Sequence, residues 1–305
     1  MSPSAAGRRT PVRLSAAELP GCLGDLLHPP AGLWYLGDPT VLAAAPDRCV
    51  AIVGTRDASP YGDRTATRLA AAAVRAGLVV VSGLARGVDA AAHRGAIDAG
   101  GLTVAVMGPG VDVPYPVGHR TLHDLVQQNG VAISEMEPGT KAFRGCFPRR
   151  NRIIAALCKV TIVVEAPFKS GAMNTATQAL EMGRTVAAVP GPIDDPRAAG
   201  SNLLIRDGAQ VITDVEDMLA LFGLSTKDAS FRGDTGSLTS SNVDKFTSLS
   251  ATDQAMLGVL GSKVTPVHEI GFLSGLSVRQ VSDVLLRLEL GGLVESGAGG
   301  YRRRD

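Results

Sequence analysis

An α/β fold, an extended Rossmann-like parallel sheet with a small C-terminal winged-helix domain, is what three observations predict. From Cys49 to about Thr213, short β-branched runs alternate with amphipathic stretches. The runs are apolar on both faces, as strands covered by helices on either side must be. Beyond a polar stretch the order becomes helix, helix, turn, helix and strand pair.

Strands are expected at Val50–Val53, Leu78–Val81, Thr103–Met107, Val131–Ile133, Val160–Val164 and Thr185–Val189. Helices are expected at Arg64–Ala76, Asp89–Ala99, His119–Gln128 and Thr175–Met182. Each has a glycine within a few residues of its end (Gly77, Gly100, Gly130, Gly183), the residue that most readily takes the left-handed conformation that stops a helix. Residues 1–48, rich in Pro and Gly and holding the lone Trp34, are expected to pack on the sheet as an N-terminal extension. The Rossmann-like domain then spans 49–224. Ser, Thr, Gly and Asp dominate 225–247, the composition of a flexible linker. A winged helix-turn-helix domain follows at 248–305, with helices at Thr252–Leu260, Pro266–Leu273 and Val278–Leu290, a Gly275-Leu276-Ser277 turn, and a strand pair ending in Tyr301-Arg302-Arg303-Arg304.

Composition removes several function classes. With 45% apolar and 19% charged residues, the chain is an ordinary globular protein rather than a disordered one. No run approaches the roughly 18 apolar residues of a membrane span, and Pro3 and Pro11 interrupt the place where a signal core would lie. A cytoplasmic location is expected. Thirty basic against 29 acidic residues leave a net charge of +1, which excludes a polycation binding nucleic acid by bulk charge. Six of the basic residues are lysine, so 24 are arginine; the planar guanidinium suits bidentate phosphate contacts, and genome composition produces the same skew. Cys22, Cys49, Cys146 and Cys158 show no C-x-x-C spacing and no cluster with the five histidines. No metal, cofactor or disulfide framework is expected.

Three segments carry the chemistry. The first strand ends in Gly54-Thr55-Arg56, ahead of Ser59-Pro60-Tyr61-Gly62 and a helix. A strand-end glycine, the free N–H groups of a helix start and a guanidinium together suit a phosphate; an ordinary turn with a solvated arginine has the same sequence. Neither G-x-G-x-x-G nor G-x-x-x-x-G-K-[ST] occurs, which disfavours dinucleotide and P-loop functions. The second strand runs into Ser82-Gly83-Leu84-Ala85-Arg86-Gly87-Val88-Asp89, a second anion-receptive turn with Asp89 as helix N-cap. His93 lies one turn on, and the Asp89–His93 pair reads as structural rather than catalytic. The third segment, Arg144-Gly145-Cys146-Phe147-Pro148-Arg149-Arg150-Asn151-Arg152, precedes a buried helix and strand and reads as an exposed basic loop. Pro148 favours an extended backbone at Phe147, so the ring is expected to stack on a base of single-stranded nucleic acid. The competing reading places Phe147 in the core.

Taken together with Gly108-Pro109-Gly110-Val111-Asp112, Tyr115-Pro116, Ser134-Glu135, Glu165, Ser170-Gly171, Pro190-Gly191 and Gly200-Ser201-Asn202, these motifs closely resemble the DprA (Smf) family of DNA-processing proteins over residues 20–220. The resemblance implies a protein that binds single-stranded DNA during natural transformation, helps load the RecA recombinase, forms homodimers through the Rossmann-like domain and has no enzymatic activity. It places the DNA pocket at Gly54, Thr55, Arg56, Arg86, Arg144, Phe147, Asn151, Arg152, Ser170 and Gly171. The N-terminal helical domain that some members add is not expected here.

Two other functions compete. Nucleoside monophosphate phosphoribohydrolases share a related fold and carry a catalytic Glu in a P-G-G-x-G-T-x-x-E loop and helix. The aligned run is Ser170-Gly171-Ala172-Met173-Asn174-Thr175-Ala176-Thr177-Gln178. Gln178 stands where the Glu would be, and an amide has no proton to exchange; Glu135 and Glu165 remain as carboxylates near strand ends. A winged-helix transcription regulator is the other, with Arg279, Gln280 and Arg287 as its base-reading side chains.

Overall fold

The computed structural model describes residues 10–226, 260, 264–274, 281, 284, 285, 288, 289, 294–297 and 300–303. The chain forms two compact units, Met1–Gly233 and Asp234–Asp305.

The first unit is built on a sheet of nine strands: β1 (Val12–Ser15), β2 (Gly32–Gly37), β3 (Cys49–Val53), β4 (Val79–Ser82), β5 (Thr103–Met107), β6 (Gly130–Ser134), β7 (Val160–Val163), β8 (Thr185–Ala188) and β9 (Gln210–Val211). Their order is β1-β2-β6-β5-β4-β3-β7-β8-β9, with β3 to β9 parallel. Side chains of β3 alternate between faces, as the two-residue repeat of a strand requires. Ala51 and Val53 join one apolar core and Val50 and Ile52 the other, all buried.

Helices α1 (Pro60–Arg75) and α2 (Val88–Asp98) cover one face, and α4 (Cys146–Ala156) and α5 (Gly171–Glu181) the other. Helix α3 (Arg120–Gln128) packs beside β6, while α6 (Ala199–Arg206) and α7 (Val215–Ala220) complete the unit. Alanines on α1 and Gly95 on α2 let these helices approach closely. A Cβ at Gly95 would stand 2.5 Å from the carbonyl oxygen of Thr67. The direction in which strands are added reverses at β3: β4, β5 and β6 extend the sheet to one side and β7 starts the other. A crevice therefore opens at the carboxyl ends of β3 and β7, the place where open α/β sheets bind ligands.

The N-terminal extension does more than pack on the sheet. Leu23 and Leu26 enter the core beside α4, but β1 and β2 also lengthen the sheet, β2 pairing antiparallel with β6 (Tyr35 opposite Ile133). The run Gly32-Leu-Trp-Tyr-Leu-Gly37 has the bulky composition of a strand, masked in sequence by its Pro- and Gly-rich surroundings. A larger correction concerns the third segment, which is helical from Cys146 rather than an extended loop. Pro148 falls in the first turn of α4, where a missing N–H has no intrahelical partner to lose.

In the second unit, α8 (Val267–Ser274) and a hairpin of β10 (Val294–Gly297) and β11 (Gly300–Arg303) are described. Leu260, Ile270, Val281, Val284, Leu285, Leu288 and Val294 form its core. Positions 281, 284, 285 and 288 repeat at the spacing of one helix face. Most of the helix expected at Thr252–Leu260, the linker beyond Thr226, and Arg279, Gln280 and Arg287 lie outside the described residues. Among the described residues no helix is long and apolar enough to cross a membrane.

Candidate functional site

Two clefts of about 270 and 240 Å³ adjoin at the crevice, sharing Arg56, Ala85, Phe147 and Arg150 as walls. The first adds Gly83, Arg86, Gly108 and Tyr115; the second adds Gly54, Thr55, Asn151, Pro167, Ser170 and Gly171. Eight of the ten residues expected from the sequence thus meet here. Arg144 and Arg152 do not line either cleft.

The turn after β3 is fixed from both sides. The Thr55 N–H donates to the carbonyl of Glu165 at 2.6 Å, and the Val88 N–H donates to the carbonyl of Thr55 at 3.2 Å. A Cβ at Gly54 would meet Val88 at 2.6 Å, so the missing side chain lets the turn pack against α2 while the Gly54 backbone lines the cleft. Gly171 is different. Nothing but the Asn151 amide, 3.9 Å away, stands near its missing Cβ, and it opens α5 with Ser170 as N-cap accepting from the Met173 N–H. The partial positive charge of a helix N-terminus therefore faces the cleft. Asn151 is buried and ties α4 to α5, donating to the Gly171 carbonyl (3.2 Å) and to Asn174 Oδ1 (3.1 Å).

The turn after β4 is built around a buried ion pair. Asp89 is not the N-cap of α2; that place belongs to Gly87, held at φ +69°. The Asp89 carboxylate reaches back to accept from the N–H groups of Gly83 (3.2 Å) and Ala85 (3.4 Å), and lies 3.7 Å from the Arg150 guanidinium. Arg150 is buried from the helix side. It donates to Asn151 Oδ1 (2.9 Å) and to the carbonyls of Gly83 (2.6 Å) and Val106. Its head fills the space where Gly83 lacks a side chain. Burial pushes the Asp89 carboxyl up and the Arg150 guanidinium down, each opposed by attraction to the other. Leu84, between the two turns' bonds, is buried at φ +57°, a strained conformation for a leucine.

Arg150, the cation at the centre of both clefts, is missing from the expected set, as is the aromatic wall Tyr115. The inward direction of Arg150 depends on where α4 begins, which the reading of an extended loop concealed.

Phe147 is half-buried and walls both clefts rather than filling the core. One side of its ring meets Tyr115, with centroids 5.2 Å apart, and the Arg56 guanidinium lies 5.0 Å from the ring centroid. Arg56 and Arg86 are exposed and, among the described residues, make no hydrogen bond or ion pair. The other arginines of α4 are committed elsewhere. Arg152 donates to the His28 carbonyl and to Glu135 Oε2, each at 2.6 Å, and Arg149 donates to the same oxygen at 2.8 Å. Of the four arginines expected in an exposed basic loop, Arg149, Arg150 and Arg152 thus have protein partners. Arg144 remains exposed and unpaired among the described residues, ahead of the helix.

His93 bonds Thr103 rather than Asp89, through Nδ1 at 2.7 Å, and burial pushes its pKa down to about 3. Glu165 accepts from the Ser59 N–H (2.9 Å) and Oγ (2.5 Å) and lines a separate cleft with Tyr61 and Pro190. Gln178 donates to Glu181 on α5. The four cysteines are buried and free.

Sheet order, crevice and cleft define a Rossmann-like domain with a cationic, aromatic-walled site at its switch point. Residues 11–223 match the family of DNA recombination-mediator protein A, and residues 246–300 match the DprA winged helix domain. A putative DNA processing protein DprA of Mycobacterium tuberculosis is 40% identical over 279 residues, covering 90% of this chain and 69% of that one. DNA processing protein DprA of Streptococcus pneumoniae is 40% identical over 203 residues, 67% of this chain and 71% of that one. The X-ray structure of that protein matches with a TM-score of 0.65 at 38% identity, covering 68% and 73% of the two chains. DNA processing protein A of Helicobacter pylori, whose structure concerns its single-stranded DNA binding mode, matches with a TM-score of 0.63 at 31% identity over 69% of this chain and 94% of that one. The chain belongs to the DprA (Smf) family of DNA-processing proteins.

Proposed function

We propose that this chain is a single-stranded DNA-binding recombination mediator that holds incoming strands for RecA during natural transformation. One observation carries the reading: two unpaired guanidiniums, Arg56 and Arg86, stand at a cleft walled by Phe147 and Tyr115 and capped by the open N-terminus of α5. Cations neutralise phosphates and a ring receives a base, without any need for sequence. Gly54, Thr55, Asn151, Ser170 and Gly171 complete the proposed site, Arg150 organises it from beneath, and Arg144 meets the strand outside it. Arg152 belongs to the scaffold. The protein works in the cytoplasm as a homodimer through the Rossmann-like domain, which ends near Leu224 and is joined by 225–247 to the winged helix at 248–305.

No catalytic step and no cofactor are proposed. Asp89, the carboxylate in the cleft wall, is occupied by two N–H groups and Arg150, Glu165 serves Ser59, and Gln178 cannot exchange a proton. Purified protein is expected to release no free base from nucleoside monophosphates. Release that disappears in Glu165→Gln would overturn that part.

Fluorescence anisotropy of the full chain with single-stranded and duplex oligonucleotides of equal length tests the whole. Strong single-strand preference without sequence preference is expected. A duplex preference that depends on sequence would instead make the chain a winged-helix regulator.

A further inference from the structure

We propose that the path of the single strand continues beyond the cleft over two exposed rings, Phe143 and Phe168, each of which stacks a further base beside its own cation. The inference rests on the function proposed above and adds two contacts to it.

Among residues 10–226, Phe143 and Phe168 are the two exposed phenylalanines, at 51% and 59%. Single exposed apolar side chains are ordinary on a protein surface, so exposure alone says little. Location and neighbours distinguish these two. Phe168 stands between Pro167 and Ser170, both of which wall the cleft at the start of α5. Phe143 is anchored at the start of α4, the helix that carries Phe147. Its carbonyl accepts from the Cys146 N–H (3.2 Å) and the Cys146 thiol (2.8 Å), and its ring lies 3.1 Å from the position of a Cβ on Gly145. The two residues therefore lie just ahead of α4 and α5, the two helices whose first turns wall the cleft.

Each ring also has a cation nearby in the chain. Lys141 and Arg144 bracket Phe143, and Lys169 follows Phe168; all three are exposed and unpaired among the described residues. Within the cleft the same combination occurs as Phe147 beside Arg56. Ring plus unpaired cation is what a track for single-stranded nucleic acid repeats, because every base has a π-face and every linkage a negative charge. Other strongly exposed apolar residues, Leu27, Val117 and Ile193, are aliphatic and offer no such face.

The test compares a short oligothymidylate of roughly 3 nucleotides, confined to the cleft, with one of roughly 15 that runs past it. Phe143→Ala and Phe168→Ala in the full chain are each expected to weaken the long strand about tenfold, the equivalent of one stacked base, while leaving the short one unchanged. Phe168→Trp should restore affinity, and its added indole fluorescence should be quenched by the long strand. Phe147→Ala and Arg56→Ala serve as controls and should weaken both lengths. If the controls weaken binding and the two flanking variants do not, the track is refuted and the cleft stands. Should neither group have an effect, the underlying function is wrong as well. Equal losses for both lengths, or an unquenched indole, would show that the rings act on the fold or on a protein partner, and would also overturn the proposal.

Discussion

At the residue scale, what matters about an arginine here is whether the protein already uses it. Arg149, Arg150 and Arg152 lie within four residues on α4, yet all three are held by carboxylates or carbonyls. Arg56 and Arg86 sit on glycine-containing turns and keep their donors free. A phosphate gains most from a guanidinium that has nothing to give up. Arg56→Ala is accordingly expected to weaken single-strand binding, lower the salt slope by about one counterion and leave unfolding unchanged. Arg152→Ala should behave in the opposite way. It removes charge-assisted bonds to Glu135 and the His28 carbonyl, and an unfolding free energy lower by about 1–3 kcal/mol is expected with affinity retained. Salt-dependent anisotropy and urea unfolding on both variants check the pair of outcomes; equal losses of affinity would return Arg152 to the site.

At the scale of elements, the six central parallel strands β3 to β8 were legible because β-branched runs buried on both faces point to covered strands, whereas the short, exposed β9 was not; Thr103–Met107 agrees to the residue. Helix α4 was not. Pro148 looks like a breaker when the helix start is unknown and like a first-turn residue once it is known, and the side-chain directions of Arg150 and Arg152 follow from that start. The glycines of the site divide in the same way, since sequence shows that Gly83 and Gly171 lack side chains but not what occupies the space. Gly83→Ala would drive a Cβ into the Arg150 guanidinium, and overpacking should lower stability by about 1–3 kcal/mol. The Cβ of Gly171→Leu meets nothing closer than the Asn151 amide at 3.9 Å, so stability should hold while single-strand affinity falls. An unfolding curve and a titration on each variant separate the two roles. Helix α2 supplies a further check through its bond from His93 to Thr103 on β5. The folded chain keeps this imidazole neutral down to about pH 3, whereas the unfolded chain protonates it near its ordinary value of 6.5. Between those values the unfolded state binds more protons, so stability falls as pH drops. On going from about pH 7.5 to about pH 5, the wild-type loss should exceed that of His93→Asn by about 2 kcal/mol. Equal losses in urea unfolding would show that His93 is protonated in the fold.

At the scale of the molecule, the division of labour between the two units is open to a direct test. All the residues proposed to touch the strand, from Gly54 to Gly171, belong to the first unit, as do the cores that hold them. The last described element of that unit, α7, closes with Met218 and Leu219 buried beneath α1, and Leu224 packs against the same core. The second unit has a core of its own. A unit with its own core folds without its neighbour. A chain ending at Leu224 should therefore unfold cooperatively and keep most of the full chain's affinity for single strands. Its salt slope should match as well, because the number of phosphates neutralised is set by the cleft and its rim. Anisotropy on the two lengths of chain, at two or more salt concentrations, decides the matter. If the shortened chain folds but loses nearly all binding, the contacts reside in the winged helix, and the cleft at the strand ends is not where the DNA lies.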